Sequence, residues 1–239
     1  SSRFPGKPLT LIKGRTMVEH VYERTALCPG LEGGVYIATP DEEIAEASRA
    51  FGARVAMTSA SHTRASDRVA EAAEQLDADI VVMIQGDEPL ITPDMVKLSF
   101  QPLLENNTIF CTNLVKRISS EEEYRSPNTI KVVMDHQMNA LYFSREPIPT
   151  IFGNNFFQVP AFKQVCIIAY PKNRLLEFAR LEPTELEIVE SIDMLRILQH
   201  GGQVKMVECT EETHSVDILA DVEIVENMMQ HESSFAQHE

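Results

Sequence analysis

Apolar positions in the first part of the chain switch between helical and strand periods. From Thr16 to Leu27, Met17, Val18, Val21, Tyr22 and Ala26 fall at helical spacing, and Cys28-Pro29-Gly30 ends the run. Val35 to Thr39 reads as a buried strand. Asp41 to Phe51 reads as a helix with acids in its first turn and Gly52 as its stop. Arg54 to Met57 is a short strand, Ser66 to Leu76 a helix, and Ile80 to Ile84 a strand. That last run is continuously apolar and mostly β-branched, as expected of a strand covered on both faces. The rhythm predicts an α/β fold with a doubly wound, mostly parallel sheet. Farther on, Thr129 to Met134 and Ala140 to Ser144 flank a turn-forming stretch, Asp135 to Asn139, which predicts an antiparallel excursion from the sheet.

With 239 residues, 44% of them hydrophobic, the chain can bury one large core, and no composition shift marks a linker. A single domain over 1–239 is expected. No apolar run reaches about 18 residues, so no transmembrane helix is expected, and no secretory signal opens the sequence. Cys28, Cys111, Cys166 and Cys209 are scattered and lack C-x-x-C spacing. They read as reduced thiols in or near a core, and a cytoplasmic location follows as the expectation. The formal charge of −15 argues against broad nucleic-acid binding, which needs a basic surface. An anionic ligand must therefore be met locally, by a few cations and a metal.

Candidate chemistry sits where the strand at 80–84 opens into Gln85-Gly86-Asp87-Glu88-Pro89. Open α/β sheets bind ligands at the carboxyl ends of their strands. Gly86 lets the backbone turn or approach a ligand, Asp87 offers a hard carboxylate, and Pro89 stops the strand. As plain turn chemistry, the same segment would have Asp87 capping a helix and Glu88 in solvent. At the start, Ser1-Ser2-Arg3-Phe4-Pro5-Gly6-Lys7-Pro8-Leu9 puts two cations four residues apart beside a glycine, which suits a loop around polyphosphate. It is not a Walker A loop, since G-x-x-x-x-G-K-[ST] is absent.

Taken together, these segments resemble the sugar-activating nucleotidyltransferases, and most closely the CMP-Kdo synthetase (3-deoxy-manno-octulosonate cytidylyltransferase) family. The likeness runs along nearly the whole chain, through four motifs in order: Ser2 to Leu9, Gln85 to Pro89, Leu141-Tyr142-Phe143-Ser144-Arg145-Glu146-Pro147-Ile148-Pro149, and Val216-Asp217. It implies a Rossmann-like cytidylyltransferase of lipopolysaccharide biosynthesis that transfers CMP from CTP to the acidic sugar Kdo and releases pyrophosphate. It implies Arg3 and Lys7 on the triphosphate and Mg²⁺ on Asp87 and Asp217. Arg3, Lys7 and Asp87 are the catalytic candidates, and Ser66, Arg68 and Gln85 join the nucleotide-binding set. Gln85, Arg145, Gln164 and Asp193 are the acceptor-binding candidates. A homodimer is implied, with residues at about 125–185 forming the acceptor and dimer part. The family also has an apolar strand ahead of the phosphate loop, which predicts residues upstream of Ser1. By itself, Asp217 could equally be a helix cap or a solvated loop acid, since Asp221 and Glu223 follow it.

Departures from the family pattern cluster on the acceptor side. Ala65 stands where the family has Gly before Ser66-Asp67-Arg68. Gln164 replaces a His, Ile168 a Tyr, and Asp193-Met194 a Glu-Gln pair. Arg145 is kept, and its planar guanidinium suits a carboxylate. A different acidic acceptor, such as an amino-Kdo or a phosphonate, is therefore an alternative, as is a catalytically silent nucleotide-binding protein.

Overall fold

The computed structural model describes residues 6–31, 33–153, 155–158 and 160–235. In chain order the elements begin with β1 (Leu11–Ile12), β2 (Arg15–Thr16), α1 (Met17–Ala26), β3 (Tyr36–Thr39), α2 (Glu42–Ala50), β4 (Arg54–Met57) and α3 (Ala65–Glu74). They continue with β5 (Ile80–Ile84), α4 (Pro93–Glu105), β6 (Cys111–Arg117), α5 (Glu121–Arg125), β7 (Lys131–Met134) and β8 (Ala140–Ser144). Last come β9 (Phe162–Pro171), α6 (Lys172–Phe178), α7 (Glu185–Glu190), α8 (Met194–Gln199), β10 (Val204–Glu208) and α9 (Leu219–Phe235).

Local chemistry explains the boundaries. The Thr16 hydroxyl accepts from the Glu19 amide at 3.3 Å and starts α1, whose Met17, Val18, Val21 and Thr25 are buried. The Asp41 carboxylate accepts from the amides of Glu43 and Ile44 and starts α2. The chain leaves α2 through Gly52 at φ 87°, a conformation that favours glycine. The runs at 80–84 and 140–144 are strands over those same residues.

Two compact units divide the chain. The first comprises Ser1–His62, Ile84–Lys97 and Glu211–Glu239, the second Thr63–Met83 and Leu98–Thr210. In the first, β3 and β4 pair in parallel, with Ile37 opposite Val55. A small core of Ile12, Met17, Leu90, Val216, Val225 and Met229 gathers three segments that are far apart in sequence. Burying each such side chain contributes roughly 1.5 to 3 kcal/mol.

The second unit holds a six-stranded sheet with the order β10-β6-β9-β7-β8 and β5 paired to β9. β10 and β6 run parallel, whereas β6/β9, β7/β9 and β7/β8 are antiparallel. The expected hairpin is the β7/β8 pair, with Val132 opposite Phe143. Antiparallel pairing extends beyond that hairpin because the ten-residue β9 lies between β6 and β7. Val115, Phe143, Ile168, Tyr170, Phe178 and Leu195 belong to the core beneath this sheet. Cys28, Cys111 and Cys209 are buried, and all four cysteines carry thiols rather than disulfides. Among the described residues, no helix is long and apolar enough to cross a membrane.

Candidate functional site

In the first unit, Gly6 at φ 71° leads into a single 3₁₀ turn, Lys7–Leu9, and turns the chain so that Lys7 is buried. The Lys7 ammonium donates to Asp87 Oδ2 at 2.7 Å and to Asp217 Oδ1 at 3.5 Å. One cation thus joins two carboxylates from positions 80 and 210 residues away. Core packing brings them there. Leu90 and Val216, close to the two acids in sequence, share the core that holds Ile12. The Val216 amide also donates to the Asp87 carbonyl at 2.9 Å, which fixes the two segments in register.

Asp221, in the first turn of α9, reaches back to the chain ahead of the helix: its Oδ2 accepts from the amides of Asp217 at 2.7 Å and Ile218 at 2.9 Å. Its Oδ1 lies 3.2 Å from His214 Nε2. Burial raises the Asp221 carboxyl pKa, but these amide bonds and the His214 ring outweigh it and hold the group below its ordinary value. Asp217 meets Asp221 through its amide and keeps its carboxylate for Lys7. Nor is Glu88 in solvent: it is 2% exposed and accepts from Ser215 Oγ at 2.7 Å and Thr213 Oγ1 at 2.9 Å. Gly86 has no positive φ, and a Cβ there would meet nothing within 4 Å. The turn does not require glycine, so what the missing side chain provides is open space beside Asp87. Gln85, half-buried, closes the turn by accepting from the Glu88 amide at 3.3 Å.

In the second unit the charged groups are locked into the fold. Arg196, 2% exposed, donates to Glu187 at 2.8 and 2.6 Å and to Asp67 at 2.9 and 3.3 Å. Its guanidinium carbon lies 4.3 Å from the Phe178 ring centroid. Burial opposes the charge on Arg196, but Glu187 and Asp67 outweigh it and hold the guanidinium above its ordinary pKa. Ser66 is fully buried, and its hydroxyl donates to Asp193 Oδ2 at 2.8 Å. Burial pushes the Asp193 carboxyl up, against the Ser66 bonds and the Arg64 charge, whose Nε is 3.8 Å from Asp193 Oδ1. Arg64 also donates to Ser191 Oγ at 2.7 Å and to the Glu187 carbonyl at 3.1 Å.

Arg145 Nε donates to the Glu190 carbonyl at 2.7 Å, and its terminal nitrogens donate to the carbonyls of Pro127 at 3.0 Å and Ser191 at 3.3 Å. A guanidinium has five N–H groups. Three donate to backbone carbonyls here, and among the described residues no hydrogen bond is made by the other two. The Glu190 carboxylate accepts from Ser144 Oγ at 2.7 Å, Tyr142 Oη at 3.3 Å and the Arg145 amide at 2.8 Å. Gln164 Nε2 donates to Asn113 Oδ1 at 2.6 Å.

Among the sequence-selected residues, the structure thus brings together Lys7, Asp87 and Asp217 in one group and Ser66 and Asp193 in another. Arg145 and Gln164 each sit in networks of their own. Arg68 is half-buried in α3, and Arg3 lies outside the described residues. Asp67, Arg64, Glu187, Glu190 and Arg196 form networks that periodicity did not single out. The one available signal was a surplus of charges within otherwise apolar helical stretches such as Met194-Leu195-Arg196-Ile197. The departures Ile168 and Met194 are 2% and 0% exposed and belong to the core, so neither presents a face to a ligand.

A family model described as cytidylyltransferase matches residues 1–213. A 3-deoxy-manno-octulosonate cytidylyltransferase of Geobacter metallireducens is 46% identical over 94% of this chain and 92% of its own length. One from Solibacter usitatus is 42% identical over 95% and 90%. Among solved structures, a CMP:2-keto-3-deoxy-manno-octonic acid synthetase complexed with CTP superposes with a TM-score of 0.87 at 36% identity, covering 97% of this chain and 95% of that one. A 4-diphosphocytidyl-2C-methyl-D-erythritol synthase shares the fold at a TM-score of 0.62 and 12% identity.

Proposed function

This chain belongs to the cytidylyltransferase family, within it to the 3-deoxy-manno-octulosonate cytidylyltransferases, and from that premise we propose that it makes CMP-Kdo from CTP and Kdo in a Mg²⁺-dependent reaction. The observation that carries the residue assignments is the meeting of Lys7, Asp87 and Asp217. In nucleotidyl transfer an acceptor hydroxyl attacks the α-phosphorus and pyrophosphate leaves. Little covalent help is needed, so positioning and charge neutralisation dominate.

The Lys7 ammonium is the cation for the phosphates. Asp87 and Asp217 would hold Mg²⁺, and the donor set suits it: hard carboxylate oxygens already converge on a positive charge. Among the described residues no group of three or more His, Cys, Asp or Glu could hold a metal, which leaves the remaining positions to phosphate oxygens and water. Once bound, the ion supplies positive charge to phosphate and hydroxyl oxygens. The open space at Gly86 admits a ligand close to the backbone. Arg3 and Gln85 join Lys7 in the proposed nucleotide set, and Ser66 and Arg68 are the nucleotide-binding candidates of the second unit. Ser66, being buried on Asp193, serves nucleotide binding by placing the α3 N-terminus.

On the acceptor, Arg145 offers the two N–H groups left over by its carbonyl contacts to the sugar carboxylate, with Gln164 and Asp193 of the same unit as further polar partners. Kdo is preferred over another acidic acceptor because two of the four acceptor-side departures, Ile168 and Met194, are core residues. Pyrophosphate release from CTP tests the reading. Turnover is expected with Kdo and Mg²⁺, to be lost with a chelator, and no turnover with Kdo alongside turnover with another acid would overturn the acceptor assignment.

The exposed Leu141 on β8, at the end of the strand order, supports the homodimer, since a two-fold contact would cover that edge. Light scattering at micromolar concentration should give about twice the 26.9 kDa chain mass.

A further inference from the structure

Glu88 has no part in the assignments above, yet it is the most buried acid of the first unit's acidic loop, at 2% exposure. Its two carboxylate oxygens are divided between two hydroxyls, Ser215 Oγ on Oε1 at 2.7 Å and Thr213 Oγ1 on Oε2 at 2.9 Å. Successive side chains of an extended segment alternate sides, so residues two apart share a face. Thr213, Ser215 and Asp217 follow that spacing, and all three reach the acidic loop or the Lys7 ammonium it holds. The intervening Val216 turns its amide to the Asp87 carbonyl. The segment carrying one metal-binding candidate is thus bonded at three successive points to the pair Asp87-Glu88.

We propose that Glu88 is a positioning residue: its carboxylate sets the register of residues 213–217 and thereby places the Asp217 carboxylate against that of Asp87. The assignment rests on the reading of Asp87 and Asp217 as the Mg²⁺ pair. A carboxylate is suited to the task because both oxygens accept, and two hydroxyl donors fix its plane. Glutamine preserves the shape, since its carbonyl accepts from one hydroxyl and its amide can donate to the other. Alanine removes both anchors.

Binding of Mn²⁺ in the presence of CTP, read from the electron paramagnetic resonance signal of the free ion, tests this apart from turnover. Glu88→Ala should weaken Mn²⁺ about 10- to 100-fold, the range for groups that orient metal ligands. It should lower kcat while leaving the KM for CTP within about threefold, because Lys7 is untouched. Glu88→Gln should restore most of the affinity. The pair Thr213→Val and Ser215→Ala should reproduce the loss without altering Glu88, and adding Glu88→Ala to that pair should cost little more. The hydroxyl pair also carries the test if Glu88→Ala does not fold. Wild-type Mn²⁺ affinity in a folded Glu88→Ala chain, or in the hydroxyl pair, overturns the proposal. Asp217→Ala is the control: if it binds Mn²⁺ as the wild type does, the metal reading fails and the Glu88 role with it. If only Asp217→Ala loses the ion, the Glu88 role alone is wrong.

Discussion

Lys7 and Arg196 each sit between two carboxylates, one in each unit, but their surroundings differ. The Asp217 side chain keeps 40% of its surface exposed, and the Asp87 side chain 20%. Around Arg196, the Glu187 side chain is 1% exposed and the Arg196 side chain 2%. A partly exposed pair can exchange partners at little cost, because water and ions compensate whichever charge is released. A desolvated pair cannot, because breaking it strands a charge in a low-dielectric interior. The first arrangement is available for chemistry, whereas the second fastens α3, α7 and α8 together in its own unit.

The sharpest way to break that contrast is at Arg196. Replacing it by Met leaves the Glu187 carboxylate buried without its guanidinium, and denaturant unfolding should show a loss of about 3 to 5 kcal/mol. The double change Arg196→Met with Glu187→Leu should recover much of it, since replacing both charges removes the stranded one. A single variant as stable as the wild type would mean that the buried network contributes nothing.

At the other group the expectation reverses. Asp87→Asn or Asp217→Asn should lower turnover about 10²- to 10³-fold, the usual cost of removing one preorganised electrostatic group. Stability should change by under about 1 kcal/mol for Asp217→Asn, whose side chain is 40% exposed, and by more for Asp87→Asn, which removes the nearer partner of a buried ammonium. Turnover by pyrophosphate release and unfolding in the same buffer separate the two effects. If the double substitution turned over normally, the metal and phosphate assignments would both fall.

What could be read from the chain follows the same division. The strand at 80–84, the hairpin at 131–144 and the capped helices were legible because apolar period and local capping determine them within a few residues. Asp87 was visible because Gln85-Gly86-Asp87-Glu88-Pro89 follows a buried strand, and Asp217 only through the family likeness. The burial of Glu88 was not visible, because it depends on two hydroxyls more than a hundred residues away. Periodicity did not single out Arg196, a charge in the apolar stretch Met194-Leu195-Arg196-Ile197, and nothing local names Asp67 and Glu187 as its partners. Sheet direction was partly hidden for a similar reason. β9 inserts between β6 and β7, a long-range pairing that propensity does not encode.

Arg145 lies between the extremes, half-buried, with three of its N–H groups tied to carbonyls and two making no hydrogen bond among the described residues. Arg145→Ala should raise the acceptor KM about 10- to 150-fold, the equivalent of a charge-assisted contact worth roughly 1.5 to 3 kcal/mol. The KM for CTP should stay near the wild-type value. Arg145→Lys should not rescue, because an ammonium cannot reproduce the planar fork. Equal effects on both substrates would show that Arg145 acts on the fold of its loop rather than on the acceptor.

The smallest expected effect belongs to Lys131, the second unit's counterpart of Lys7. It is fully buried and donates to the carbonyls of Ser126 at 2.8 Å, Thr129 at 2.6 Å and Arg145 at 2.5 Å. Where Lys7 has carboxylates, Lys131 has carbonyl dipoles, and burial lowers its pKa from the ordinary 10.5 to about 8, with Glu146 opposing. In the window between those two values the unfolded chain holds a proton that the folded chain has released. The unfolded state then binds more protons, so stability rises with pH across the window and the gain is lost as pH falls through about 8. Lys131→Met removes the titration. Denaturant midpoints should therefore show the wild type gaining on the variant between pH 7 and pH 10, by an amount limited by the neutral amine's loss of one of its three hydrogen bonds. A difference between the two chains that stays constant across that range would mean that the three carbonyls compensate the Lys131 charge against its burial.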